Sequence, residues 1–232
     1  MLFLVTVPTA ALGLVSARRV NQASGTAVIS AGTLTVNGNL SAPNFQWTGA
    51  TVAGPGGITL TGTNTWSAGL FNNAGPLTVP SGSTLLITTG SSHDLMGTLW
   101  TNNGAIIHSG GAIRSGQGSL INNAGVCLEQ TDVPFFNVFG GAASTFLNTS
   151  TFRKSPTSGT TSFQNSFVLN NSGLVDVQSG TLHFQAGDMQ AKNGRELKKS
   201  CAVRHWLNRR VLTRLISASL NAVCEILAAC RT

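Results

Sequence analysis

A short motif recurs along the chain and constrains its fold more than any other feature. An Asn-Asn or Asn-Thr pair is followed by one or two residues and often a Gly. A short alternating segment then ends in Ser-Gly, and a second short segment follows. Phe71-Asn72-Asn73-Ala74-Gly75 leads to Leu77-Thr78-Val79, and Trp100-Thr101-Asn102-Asn103-Gly104 leads to Ile106-Ile107. Ile121-Asn122-Asn123-Ala124-Gly125 and Leu169-Asn170-Asn171-Ser172-Gly173 repeat it, and Phe146-Leu147-Asn148-Thr149-Ser150 is a variant. The front segment carries the second half of the motif, since Ala31 to Val36 matches Ser179 to Phe184 in pattern. The Asn pairs begin at 72, 102, 122 and 170, with Asn148 between, so the gaps are 30, 20, 26 and 22 residues. Periods of roughly 20–50 residues are the mark of stacked repeats.

The segments between the pairs alternate at period two. Thr33-Leu34-Thr35-Val36, Ile58-Thr59-Leu60-Thr61 and Val175-Asp176-Val177-Gln178 put apolar side chains on one face of a strand. Asn and Gly tolerate the left-handed backbone of sharp corners. One such coil cannot bury its own apolar face, but a stack of coils can. The expected fold is therefore all-β: a right-handed parallel β-helix of six to eight coils over residues 24–190, with strands of 3–5 residues. An antiparallel sandwich is the competing architecture. The recurring corner residues favour the solenoid, because equivalent Asn residues would stack into ladders.

Composition separates two parts. The net charge is +7, yet residues 1–190 hold five basic and five acidic residues, while residues 191–232 hold nine and two. Of 27 Gly, only Gly194 falls in the tail. The basic balance therefore does not signal nucleic-acid binding by the body, and the expectation is no nucleic-acid partner. The body is too apolar and too weakly charged to be disordered. Its single Cys127 excludes a disulfide scaffold.

Two end segments stand apart. Residues 1–23 are apolar enough for a signal-like core, but no basic residue precedes the run and Arg18-Arg19 follows it. A first strand, or a start inside a longer gene, is the other reading. In 191–232, Leu207, Val211, Leu215, Ala218, Ala222 and Ile226 fall along one face at helical spacing. This predicts a basic amphipathic α-helix over about 205–230. It could cap the solenoid, lie on an anionic membrane, or be unrelated sequence appended by a frameshift. Cys201, Cys224 and Cys230 lack the spacing of a metal site.

The stretch Phe146-Leu147-Asn148-Thr149-Ser150-Thr151-Phe152-Arg153-Lys154-Ser155, with Leu169-Asn170-Asn171-Ser172-Gly173 and Ser179-Gly180-Thr181-Leu182-His183-Phe184, resembles the repeats of large bacterial surface and autotransporter-type proteins. The resemblance spans residues 24–187. It implies a right-handed β-helix used as a stalk or adhesive region, at the cell surface or secreted. It transfers no catalytic set. With no barrel or sorting signal following, the chain reads as a fragment.

Candidate chemistry is sparse. His93-Asp94 is the only adjacent His/Asp pair, and a polar turn accounts for it. His108 and His183 are expected on outward faces. Asp94, Glu129, Asp132, Asp176 and Asp188 are a thin supply for acid–base work, although Asp176 and Asp188 could approach across coils. Gly54-Pro55-Gly56-Gly57 and Gly116-Gln117-Gly118 lack the phosphate-loop pattern. Asn39, Asn148 and Asn170 meet the glycosylation rule by composition alone. The reading is thus no catalytic, cofactor-binding or metal residue, no cofactor and no enzyme activity. Glycans or other surface proteins are the expected partners, bound by rows of Thr, Ser and Asn. A β-helical polysaccharide lyase or hydrolase is the alternative.

Overall fold

The computed structural model describes residues 3–4, 26–185 and 224–228. Within 26–185 every regular element is a strand, and all of these strands pair in parallel. They wind into a solenoid of about 7 turns, with three faces. The antiparallel sandwich is therefore excluded.

The first face stacks Thr84–Ile87, Ala105–His108, Val126–Glu129, Thr151–Lys154 and Leu174–Val177. The second stacks His93–Met96, Ile113–Gly116, Phe135–Asn137, Thr160–Gln164 and Gly180–Phe184. The third stacks Leu99–Asn102, Leu120–Asn123, Ser144–Asn148 and Phe167–Asn171. Most strands have the expected 3–5 residues. Phe45–Gly54 and Thr63–Asn73 are longer, because they run through the corner joining the first and second faces.

Alternation sets the core. In Thr84–Ile87 the burial alternates, with Leu85 and Ile87 inward. The same phase repeats in the coils below. Aromatic rings then stack along the axis. Trp47 lies on Trp66 with ring centroids 4.7 Å apart and planes 8° apart. Further down, Phe135 lies on Phe163 at 4.5 Å and 12°. Burying each ring contributes on the order of 2–3 kcal/mol before entropy is counted.

The expected Asn ladder exists, in a register the Asn pairs alone misstate. Asn102, Asn123, Asn148 and Asn171 are equivalent, spaced by 21, 25 and 23 residues. Asn72 belongs elsewhere. It lies next to last in the strand Thr63–Asn73, on the second face beside Ala53, and is exposed, whereas the residue above Asn102 on the third face is Val79. The unit beginning at Phe71 is therefore displaced by one face. The front match holds better, since Thr33–Thr35 and Gly180–Phe184 both lie on the second face.

Phe3–Leu4 pairs with Ala27–Val28. The helix expected over about 205–230 lies outside the described residues, except Cys224–Ala228. That segment is a strand antiparallel to Gly180–Phe184.

Candidate functional site

The last inward position of the first face carries a column of unlike residues. Reading down the stack it holds Trp66, Ile87, His108, Glu129, Lys154 and Val177. Three successive coils thus place ionisable side chains in the core. Strand alternation dictates this, because Ile106, Cys127 and Phe152 point inward two residues earlier.

His108 corrects the sequence expectation. It is 1% exposed and faces inward. Its Nδ1 lies 2.7 Å from Glu129 Oε2, and its Nε2 donates to the Gly111 carbonyl at 2.8 Å. Since that carbonyl can only accept, one proton is shared between Nδ1 and the Glu129 carboxyl. Burial alone would lower the His108 pKa. The attraction and hydrogen bond of Glu129, helped by Gly111, outweigh it and raise the value above 6.5. Burial likewise pushes the Glu129 carboxyl up, against the opposing pull of His108, Lys154 and the Thr131 N–H.

Lys154 is fully buried, yet its ammonium is saturated. It lies 2.6 Å from Asp132 Oδ1, 3.0 Å from the Thr131 carbonyl, and 3.0 and 3.1 Å from the Thr157 and Thr161 hydroxyls. Burial would raise the Asp132 pKa, but Lys154, Thr157 and the Gly159 N–H hold it below the ordinary carboxylate value.

His93 is not in a turn. It opens the strand His93–Met96 and is fully buried, with its ring edge toward Trp66. Carbonyls of Trp66 and Thr88 lie 3.1 Å from Nε2 and that of Gly111 lies 3.3 Å from Nδ1, so whichever ring nitrogen carries the proton has a carbonyl to donate to. Burial, then the charge of His108, lower its pKa. Its neighbour Asp94 points outward and takes both Nε and Nη2 of Arg114 at 2.7 Å. No His–Asp dyad forms from this pair.

Cys127 is enclosed, and burial followed by the Glu129 charge pushes its thiol well up, which leaves it unreactive. His183 sits in outward phase between buried Leu182 and Phe184, as expected. Asp176 meets Arg153, and Asp188 lies outside the described residues. Asn148 is buried in its ladder and inaccessible to glycosylation in the folded chain, whereas Asn39 is exposed. Among the described residues, no group of three or more His, Cys, Asp or Glu side chains is placed to hold a metal.

The outer surfaces differ from face to face. On the third face a row in register reads Ser41, Thr59, Thr78, Thr101, Asn122, Leu147 and Asn170. On the first face the outward row reads Leu86, Ile107, Leu128, Arg153 and Asp176. Beside its polar end lies a shallow groove of about 330 Å³. The Ser/Thr/Asn row follows from the repeat pattern. The groove was not foreseen, because it needs the register of three coils at once.

No family model, curated protein or solved structure matches the chain.

Proposed function

We propose that the chain is a structural or adhesive repeat segment of a bacterial cell-surface or secreted protein, with the resemblance to autotransporter-type repeats as its basis. On this reading the coil is right-handed, the hand that parallel strand crossovers adopt in about 98% of cases. The observation that carries the reading is the long row of the third face, in register over seven strands, with Ser, Thr or Asn at six of them and Leu147 at the other. Such a row offers many equivalent weak contacts along one axis. The fate of the acids supports it as well. Asp94, Glu129, Asp132 and Asp176 each meet a different cationic or imidazole partner, so among the described residues no pair of free carboxylates converges. Glycosidic cleavage by two carboxylates would need such a pair.

The test is attachment. The purified chain is applied to a glycan array and to immobilised cell-surface material. Retention above background, reduced when Thr59, Thr78 and Thr101 are replaced together by Val, supports the reading. New reducing ends or unsaturated products released from polysaccharide would overturn it in favour of an enzyme.

A further inference from the structure

We propose that the groove at the polar end of the first face binds a neutral oligosaccharide, an inference that rests on the adhesive reading and adds to the third-face row a second, more specific site. Two outward rows, two residues apart, define the floor. One is Leu128 and Arg153, in register on successive strands, with the buried Asp176 next in the row holding Arg153. The other is Gln130, Ser155 and Gln178, tied to the strands above by the backbone bonds Ser155 N–H to Glu129 and Gln178 N–H to Lys154. Pro156 completes the lining of the groove. At about 330 Å³ it is near the lower end of small-molecule sites, about 300–1,000 Å³. The apolar cavities lined by Trp66 and by Trp100 inside the core hold only about 10 Å³ each.

The polar groups are already oriented. Arg153 Nε donates to Asp176 Oδ2 at 2.9 Å, and Gln178 Nε2 donates to the same oxygen at 3.0 Å. These bonds fix the guanidinium plane through Nε alone, and the Arg153 side chain stays 41% exposed. Arg114 differs. Its Nε and Nη2 are both taken by Asp94, and it lies over the Phe139 ring.

Charge selects the ligand class. Arg153 and Asp176 cancel, and the neighbouring Lys154 points inward to Asp132. The groove therefore has no net pull on phosphate or sulfate. It presents guanidinium and amide donors beside amide and hydroxyl acceptors of Gln130 and Ser155, which suits hydroxyls that both donate and accept. Leu128 and Pro156 supply apolar surface for the C–H face of a sugar ring.

Saturation-transfer NMR on the full chain tests this with lactose, cellobiose and N,N′-diacetylchitobiose, and with a sulfated heparin disaccharide as the anionic probe. The expected result is transfer to at least one neutral disaccharide in preference to the heparin disaccharide. Gln130→Ala should weaken that binding about fivefold, the net loss of one hydrogen bond. Gln130 is exposed, so this variant folds, as circular dichroism would verify. Arg153→Met should weaken it further, and Val138→Ala, at an exposed residue outside the groove and outside the third-face row, should leave it unchanged. Absence of transfer to all three neutral sugars, or preference for the heparin disaccharide, overturns the proposal. Binding that survives both Gln130→Ala and Arg153→Met also overturns it, while leaving the adhesive reading intact.

Discussion

Glu129 sits directly below His108 in the stack, and the two side chains meet inside the core at 2.7 Å with 0% and 1% exposure. Each has its pKa raised, so the folded chain holds protons that the unfolded chain has released. Stability from His108 is complete below about 6.5 and is lost as pH rises through its folded pKa. The raised Glu129 pKa acts in the same direction, from about 4.5 upward. His93 opposes them. Its lowered pKa makes stability fall as pH drops below about 6.5.

Glu129→Gln should reverse the His108 contribution. Without the carboxylate, burial dominates and the His108 pKa drops below its ordinary value. The stability of the variant, relative to the native chain, should improve as pH rises from about 5.5 to about 7.5. Urea midpoints across that range check it. Parallel pH profiles for the two proteins would contradict the shared-proton geometry.

Lys154 and Asp132 form a lopsided pair, because Lys154 is fully buried while the Asp132 side chain is 37% exposed. Removing the acid strands a charge in the core, whereas removing the lysine leaves an acid that water can reach. Asp132→Asn should therefore cost about 3 kcal/mol, near the lower end for a broken buried pair. Lys154→Met should cost less, since the methionine fills the same volume and Glu129 can take up a proton. Equal losses in denaturant titrations would show that the pair is not asymmetric.

How far these features could be read from residues alone depends on phase and register. Thr33-Leu34-Thr35 and Ile58-Thr59-Leu60 alternate cleanly, and both are strands, with Ile58 and Leu60 buried and Leu34 partly buried against the core. Ile106-Ile107-His108 has two adjacent apolar residues, so its phase is ambiguous and a polar His108 reads as outward. Phe152-Arg153-Lys154 carried the better signal, since an inward Phe152 commits Lys154 to the core. The Asn pairs hid the register in a similar way. In Asn102-Asn103 the first member enters the ladder, while in Asn122-Asn123 and Asn170-Asn171 the second does. Pair spacing thus scatters by one residue even where the coil does not. The groove at Arg153 requires side chains from three coils, and no local pattern announces it.

The Asn ladder makes a directional prediction. Asn102 Nδ2 donates to Asn123 Oδ1, Asn123 Nδ2 to Asn148 Oδ1, and Asn148 Nδ2 to Asn171 Oδ1, at 2.7, 2.7 and 2.6 Å. Each amide from Asn102 to Asn148 also donates to a first-face carbonyl, of Val126, Thr151 or Leu174. Asn123→Ala should cost about 2–3 kcal/mol from lost bonds and stranded neighbours. Asn123→Asp should cost more at neutral pH, although it is closer in shape. Its second oxygen would face two acceptors where an amide donor is needed. Lower pH should recover part of that loss by protonating the acid, and thermal melts at two pH values would reveal it. A variant as stable as the native chain at neutral pH would contradict the donor assignment.

Gly125 and Gly90 offer the sharpest contrast in tolerance to a single methyl group. Gly125 lies in the corner that leads from the third face to the first, and a Cβ there would approach the Gly104 carbonyl oxygen to 2.2 Å. The obstacle is backbone of the adjacent coil, so relief requires the coils to part where Val126 N–H bonds the Gly104 carbonyl. Gly90 has nothing within 4 Å of its Cβ position and no positive φ. Gly90→Ala should therefore be neutral or stabilising by up to about 1 kcal/mol, through the reduced freedom of the unfolded chain. Gly125→Ala should destabilise by about 2–3 kcal/mol, in the range of overpacked sites. Chemical denaturation of the two variants side by side checks both signs. A tolerated Gly125→Ala would mean that this corner is not held by close backbone approach between coils.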